Sequence, residues 1–280
     1  MIVKKSKTNA VIFEFSGQTD LTEYVDGGKF KRRDGDTDFV GKDFKSWEEV
    51  ESFTKQTWED GLQELAMFIE RLQKTEIRPI KSHKRTVVWG TSGDELDLER
   101  LQSGDPLCWK SYKREKTDGP TSLTIIIDTS TPWNVHSSDI LWRGAAAIAL
   151  THVLESKGYS VELWVTNGAT FFANRSYPGV TACCLKRTSD PLDMSTLVNT
   201  VAGWFYRTVT FTLMDTICAK THETCSSGYG CVYNPTETDL DEITPDALRI
   251  YSSGVFTFNG AVSLMESELG KLADSSEASE

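Results

Sequence analysis

Leu123-Thr-Ile-Ile-Ile-Asp128-Thr-Ser130-Thr-Pro132-Trp133 is the stretch whose reading decides the fold. Its run of β-branched apolar residues reads as a strand buried on both faces, the mark of a parallel sheet, because a strand with one wet face would alternate apolar and polar residues. Polar residues take over from Asp128, so the strand ends in a loop. A helix-compatible segment follows from Ser138 to Lys157. Leu141, Ala145, Ile148 and His152 form its stripe, Gly144 to Ala147 keep it thin enough to lie close on a sheet, and Gly158 is placed to end it. Tyr159 to Thr166 is strand again. Strand, crossover helix and strand make a βαβ unit, whose ligands sit in the crevice at the carboxyl ends of the strands, here Asp128 to Ser137.

Outward from this unit, Val180 to Arg187 reads as a further strand and Pro191 to Thr216 as helix-periodic with a break near Gly203. A strand at Arg249 to Phe258, a short helix from Ala261 to Leu272 and a disordered acidic tail from Asp274 complete that side. Upstream, Ala10 to Phe15 reads as a strand, Asp20 to Val25 as a helical turn and Gly27 to Asp43 as a loop. Ser46 and Glu49 form a capping box ahead of Trp47, Val50 and Phe53, and Leu62, Leu65, Ile69 and Leu72 continue a helical period beyond Gly61. Arg85 to Trp89 is a strand. Ser92 and Glu95 suggest a second capping box, with Asp94, Glu95 and Asp97 in a first helical turn where the dipole favours acids. Trp109 to Lys116 is extended. The architecture expected is α/β, three-layer, with a mostly parallel sheet flanked by helices in Rossmann-like fashion. Residues 1–120 form an N-terminal α+β elaboration packed on a core at 121–272, with the tail at 273–280.

The composition, 39% hydrophobic and 25% charged over 280 residues, is that of an ordinary soluble protein. No stretch reaches the roughly 20 apolar residues of a membrane span. The basic start, Met1 to Lys7, leads into an apolar run that is short, carries Glu14 and lacks a small-residue cleavage site, so a cytoplasmic protein is expected. Residues 1–120 carry 21 Lys and Arg against 23 Asp and Glu, and the remainder 9 against 18. That balance excludes a broad basic face for duplex DNA. Three local basic runs remain, around Lys31, Arg32 and Arg33, around Lys84 and Arg85, and around Lys113 and Arg114. With Trp109 and Tyr112 as stacking platforms they form a candidate groove for single-stranded nucleic acid, for which the acidic tail would compete.

Trp58-Glu-Asp-Gly61, Gly93-Asp-Glu-Leu-Asp97, Gly104-Asp-Pro-Leu-Cys-Trp109, Leu141-Trp-Arg-Gly-Ala145 and Asp190-Pro-Leu-Asp193 resemble an uncharacterised family of tailed-phage and bacterial proteins. The resemblance spans most of residues 40–270 and implies a phage-encoded protein, but it brings no activity with it. The strand end Ile127-Asp128-Thr-Ser130 is similar to the opening of von Willebrand factor A-type domains, whose metal-ion-dependent adhesion site begins Asp-x-Ser-x-Ser. Asp128 and Ser130 match and Pro132 replaces the second Ser, removing a hydroxyl ligand. The resemblance implies a Mg²⁺ or Mn²⁺ site of Asp128, Ser130 and Asp190, the last standing for the distal acid. The same residues read more readily as loop holders, Asp128 capping and Ser130 bonding backbone.

Cys218, His222, Cys225 and Cys231 are ligand types that Zn²⁺ accepts, though without a finger spacing, and the cysteines of an intracellular chain are more often buried small hydrophobes. Cys183 and Cys184 are adjacent in a strand, so one must face away from the core the other fills. There is no Gly-x-Ser-x-Gly elbow and no phosphate-binding Gly-x-x-x-x-Gly-Lys loop. Of the four histidines only His136 lies in the crevice loop, beside Trp133 and Asn134. The leading expectation is therefore a non-catalytic accessory protein that offers Asp128, Ser130, Trp133, Asn134 and His136 to a host or phage protein. The alternatives are a single-strand-binding cofactor of transcription or replication and a divalent-metal hydrolase or transferase.

Overall fold

In the computed structural model of the chain, Ile125 and Ile127 fill the core on one side of the sheet and Ile126 the core on the other, so the strand is dry on both faces. The structure describes residues 1–32, 37–73, 85–93, 95–114, 122–156, 159–172, 176–221, 224–225, 232–245, 247–250 and positions 257, 259, 260, 263 and 267. The tail, most of the expected strand at 249–258 and most of the helix expected at 261–272 lie outside them.

The chain opens with a hairpin, β1 (Ile2–Lys5) and β2 (Val11–Phe15), then α1 (Gln18–Tyr24), a 3₁₀ turn (Gly27–Lys29) and α2 (Thr37–Val40). The helices α3 (Trp47–Thr54) and α4 (Glu59–Gln73) follow. A small three-stranded sheet comes next, from β3 (Arg85–Gly90), β4 (Glu95–Leu96), α5 (Leu98–Gln102) and β5 (Trp109–Arg114). The central unit is β6 (Ser122–Asp128), α6 (Ser137–Ser156), β7 (Ser160–Phe172) and β8 (Ser176–Lys186). After α7 (Met194–Thr200), α8 (Gly203–Phe205) runs through a π-helical turn (Tyr206–Thr210) into α9 (Phe211–Thr221). The last described elements are β9 (Thr224–Cys225), α10 (Glu237–Asp241) and β10 (Leu248–Ile250).

The main sheet has the order β1-β2-β8-β7-β6-β10, with β9 beside β7. It is mixed. β6 pairs in parallel with β7 and with β10, and β2 with β8, while β7 and β8 are antiparallel. The departure from a mostly parallel sheet has a simple cause: β7 extends to Phe172 and β8 starts at Ser176, and so short a connection returns the chain only as a hairpin. Nor is the N-terminal part purely an elaboration on the core. Val11 to Phe15 pair with Gly179 to Cys183, placing β2 inside the main sheet.

The layers are unequal. α1, α3, α4, α6, α7 and the run from α8 to α9 contribute to the two clusters on one face. On the other face Ile12, Ile126, Trp164 and Cys184 meet Leu240 and Ile243 of α10 and the turn after it. Cys183 and Cys184 thus do point apart, yet both are buried, because each face has its own cover. α6 is apolar all round, as a helix enclosed between a sheet and further helices must be. Its Gly144 serves contact with another helix segment rather than with the sheet: a Cβ there would lie 2.1 Å from Val201 Cβ. No helix among the described residues is long and apolar enough to cross a membrane.

Two local expectations change. Glu95 and Leu96 pair with Lys110 and Trp109 as a strand, so the helix starts later, at Leu98, with Asp97 as its cap accepting from Glu99 and Arg100 N–H. Ser92 caps nothing there. α10 is fastened to the N-terminal hairpin by Asp239, which is fully buried. Its carboxylate accepts from Ser6 Oγ (2.5 Å), Thr8 Oγ1, Tyr233 OH (2.6 Å), Thr236 N (2.9 Å) and Thr236 Oγ1 (2.8 Å). Burial alone would raise the pKa of Asp239, but these donors outweigh it and bring the group down to about 2.

Candidate functional site

β6 ends on Asp128, opposite Thr166 of β7, and the loop that follows turns inward. Asp128, Thr129, Ser130 and Thr131 are each 2% exposed or less. Buried polar groups need partners, and here β7 supplies many of them. Asp128 Oδ1 accepts from Ser130 Oγ (2.6 Å) and Ser130 N (3.2 Å), while Ser130 Oγ accepts the Gly168 N–H (2.7 Å). Thr129 N–H reaches Thr166 O (2.9 Å) and its hydroxyl donates to Asn167 Oδ1. Gly168 also lets the chain at Tyr233 cross β7, since a Cβ there would come within 2.0 Å of Tyr233 O.

Beneath the loop lies Arg143, wholly buried in α6. Its Nη1 donates to Asp128 O (2.8 Å) and Ser130 O (3.2 Å), and its Nη2 to Thr131 Oγ1. Burial pulls the guanidinium pKa down, and the neighbouring Asp128 and Tyr206 pull it back up. Tyr206 OH accepts the Thr131 N–H (3.3 Å), and burial pushes this phenol up to about 12. A second buried arginine, Arg207 in the π-helical turn, donates Nη2 to Pro132 O (2.9 Å) and Nη1 to Phe39 O (2.5 Å), with its guanidinium stacked 4.0 Å over the Phe39 ring. Two arginines from two helices therefore fix the backbone of one loop. Immediately beyond, Trp133 is 70% exposed, and Asn134 and His136 are exposed as well.

The predicted crevice is thus split. Trp133, Asn134 and His136 face outward, whereas Asp128 and Ser130 are sealed and unavailable to a partner, since their polar atoms are turned to β7 and to the loop itself. The metal set does not converge. Because β8 runs against β7, its end at Lys186 lies beside Leu163, near the start of β7, and Asp190 follows there, at the opposite end of the sheet from Asp128. Asp190 is exposed and accepts from Arg187 N (2.9 Å). Among the described residues no three His, Cys, Asp or Glu side chains gather as a metal site.

Of the candidate zinc ligands Cys218 is buried in α9, while His222, Cys231 and the Cys225 side chain lie outside the described residues. Burial pushes the Cys183 and Cys184 thiols up, Cys184 to about 11, so neither is a thiolate nucleophile at neutral pH. The basic runs divide. Lys31 pairs with Asp215 (2.9 Å) and Arg32 with Asp43 (3.6 Å). The β3–β5 ladder sets Arg85 across from Arg114, Thr86 from Lys113 and Val87 from Tyr112, with Trp109 at the far end opposite Gly90. The second and third runs therefore share one ladder, although Arg33, Lys84 and the side chains of Arg85, Tyr112, Lys113 and Arg114 lie outside the described residues.

Arg143 and Arg207 escaped the reading of the sequence, yet each had a signal. Arg143 is the only charged residue between Ile140 and Leu154, and Arg207 the only one between Met194 and Leu213. A lone charge in an apolar helix must be carried to a polar partner, and both are carried to the loop after β6. Residues 4–256 match the model of a family described as a domain of unknown function, DUF7192, and the chain belongs to that family. Comparison with the curated proteins and with the solved structures finds no match.

Proposed function

Within this family, we propose that the chain is a non-catalytic accessory protein that engages a protein partner through the tip Trp133-Asn134-Val135-His136. One observation carries the reading: a tryptophan 70% exposed follows directly on a loop whose carbonyls at Asp128, Ser130 and Pro132 are held by buried arginines. An exposed indole on a fixed backbone is the kind of anchor that dominates interface energetics, because little order is lost when it docks. The core is read as von Willebrand A-like, with a degenerate site in which Arg143 supplies a fixed positive charge beside Asp128. Supporting this are the β6–α6–β7 unit and the Asp128-x-Ser130 pair at its carboxyl end. The resemblance to tailed-phage and bacterial proteins makes the host cytoplasm the setting of the proposal.

The test is capture from a lysate of the host by immobilised protein, with Trp133→Ala as the paired variant and circular dichroism to show that both are folded. A discrete partner retained by the wild type and lost from the variant is expected. Equal capture by the two, or none by either, overturns the reading.

A further inference from the structure

A cleft opens where Phe30, Lys31, Val40, Lys42 and Phe44 meet the π-helical turn and the start of α9. Among the described residues, its lining brings together Lys31, Lys42 and Arg207 with one carboxylate, Asp215, and the hydroxyl residues Thr208 and Thr212. A positive concavity on a chain of net charge −11 is a feature apart from the general surface. We infer that this cleft is a binding site for a phosphate group.

Each cation is prepared for that role in a different way. Arg207 is buried and oriented by its bonds to Phe39 O and Pro132 O, so no rotamer needs to be ordered when an anion arrives. Lys42 holds its ammonium 3.3 Å from the centroid of the Phe53 ring and 6.0 Å from that of Phe44. Partial desolvation lowers its pKa, with Asp60 pulling the other way. Lys31 reaches in from the surface and meets Asp215 at 2.9 Å, a contact for which an incoming dianion competes. The π-helical turn that carries Arg207 and Thr208 is a second, independent feature, since such turns recur at functional sites. A phosphate matches the set because it offers several acceptor oxygens and two charges to cations that line one cleft. Phe30, half-buried on the lining, gives a nucleoside monophosphate a ring to rest against that inorganic phosphate does not use.

Calorimetric titration of the full chain at low ionic strength, with inorganic phosphate in one arm and adenosine 5′-monophosphate in the other, tests the site. Binding is expected to weaken about tenfold in Lys42→Gln, the loss of one charge-assisted contact. Binding should strengthen in Asp215→Asn, which removes the competing carboxylate; a merely structural role for these surface groups gives neither change. Tighter binding of the nucleotide identifies a nucleoside phosphate as the ligand, and equal binding identifies the phosphate group alone. Absence of heat in both arms up to about 10 mM, or affinities unaltered in both variants, overturns the assignment.

Discussion

The loop after β6 has a root and a tip that obey different rules. At the root, Asp128 to Thr131 are sealed, and their polar atoms are bonded to β7, to Arg143 and to Tyr206. At the tip, Trp133, Asn134 and His136 stand in solvent. The residues that look most like chemistry in the sequence, an aspartate and a serine at a strand end, hold the structure. Of the five residues expected to meet a partner, only Trp133, Asn134 and His136 are exposed to one.

The sharpest way to break this contrast is Arg143→Met. The change leaves the Asp128 and Ser130 carbonyls without their donor and Asp128 without its neighbouring cation, and it should destabilise the fold by about 3–5 kcal/mol. Urea denaturation monitored by tryptophan fluorescence measures it. A loss below about 1 kcal/mol would mean that the root is not the sealed hub described above.

A second sealed carboxylate extends the contrast to pH. Asp239 has its pKa depressed in the fold to about 2 from an ordinary 3.8, so its contribution is complete above the unfolded value and disappears as pH falls from about 4 to about 2. A shift of this size corresponds to about 2 kcal/mol. Asp239→Asn should remove that acid-limb dependence while lowering stability at neutral pH, and equilibrium unfolding at pH 7, 4 and 2.5 compares the two proteins. If the variant keeps the wild-type slope between pH 4 and 2.5, other carboxylates carry the acid sensitivity.

The smallest effect belongs to the tip. Trp133→Ala should alter stability by no more than about 0.5 kcal/mol, because an indole 70% exposed loses little contact when truncated. Thermal unfolding of the variant gives the number, and a large loss would place Trp133 with the root.

The central βαβ unit was legible because burial on both faces leaves an unbroken apolar run of isoleucines. The direction of β8 was not, since apolar content does not encode polarity; only the brevity of the link between Phe172 and Ser176 does, and β7 was expected to stop at Thr166. That one misread length also placed Asp190 at the wrong end of the sheet. At Cys183 and Cys184 alternation was rightly read, but the cover on the second face comes from α10, whose short polar sequence gives no sign that it roofs a core. The sealed root is hidden for a related reason: Arg143 sits inside a family motif, while its isolation among apolar residues is the informative fact.

The pairing of Val11 with Gly179 has a consequence for the order in which the protein is made. While the chain is being synthesised, the residues of β1 and β2 are made long before the strand that will accept them. Throughout that interval β2 presents an unpaired edge of Val11, Ile12 and Phe13 to its surroundings. The β6–α6–β7–β8 segment, by contrast, is contiguous and forms its pairings with neighbours in sequence. The pairings predict that assembly runs outward from the middle of the chain, with pulse-labelled hydrogen exchange protecting β6 to β8 before β2. The clasp between Ser6 and Asp239 joins residues 233 apart in the chain and closes only after Asp239 has been made.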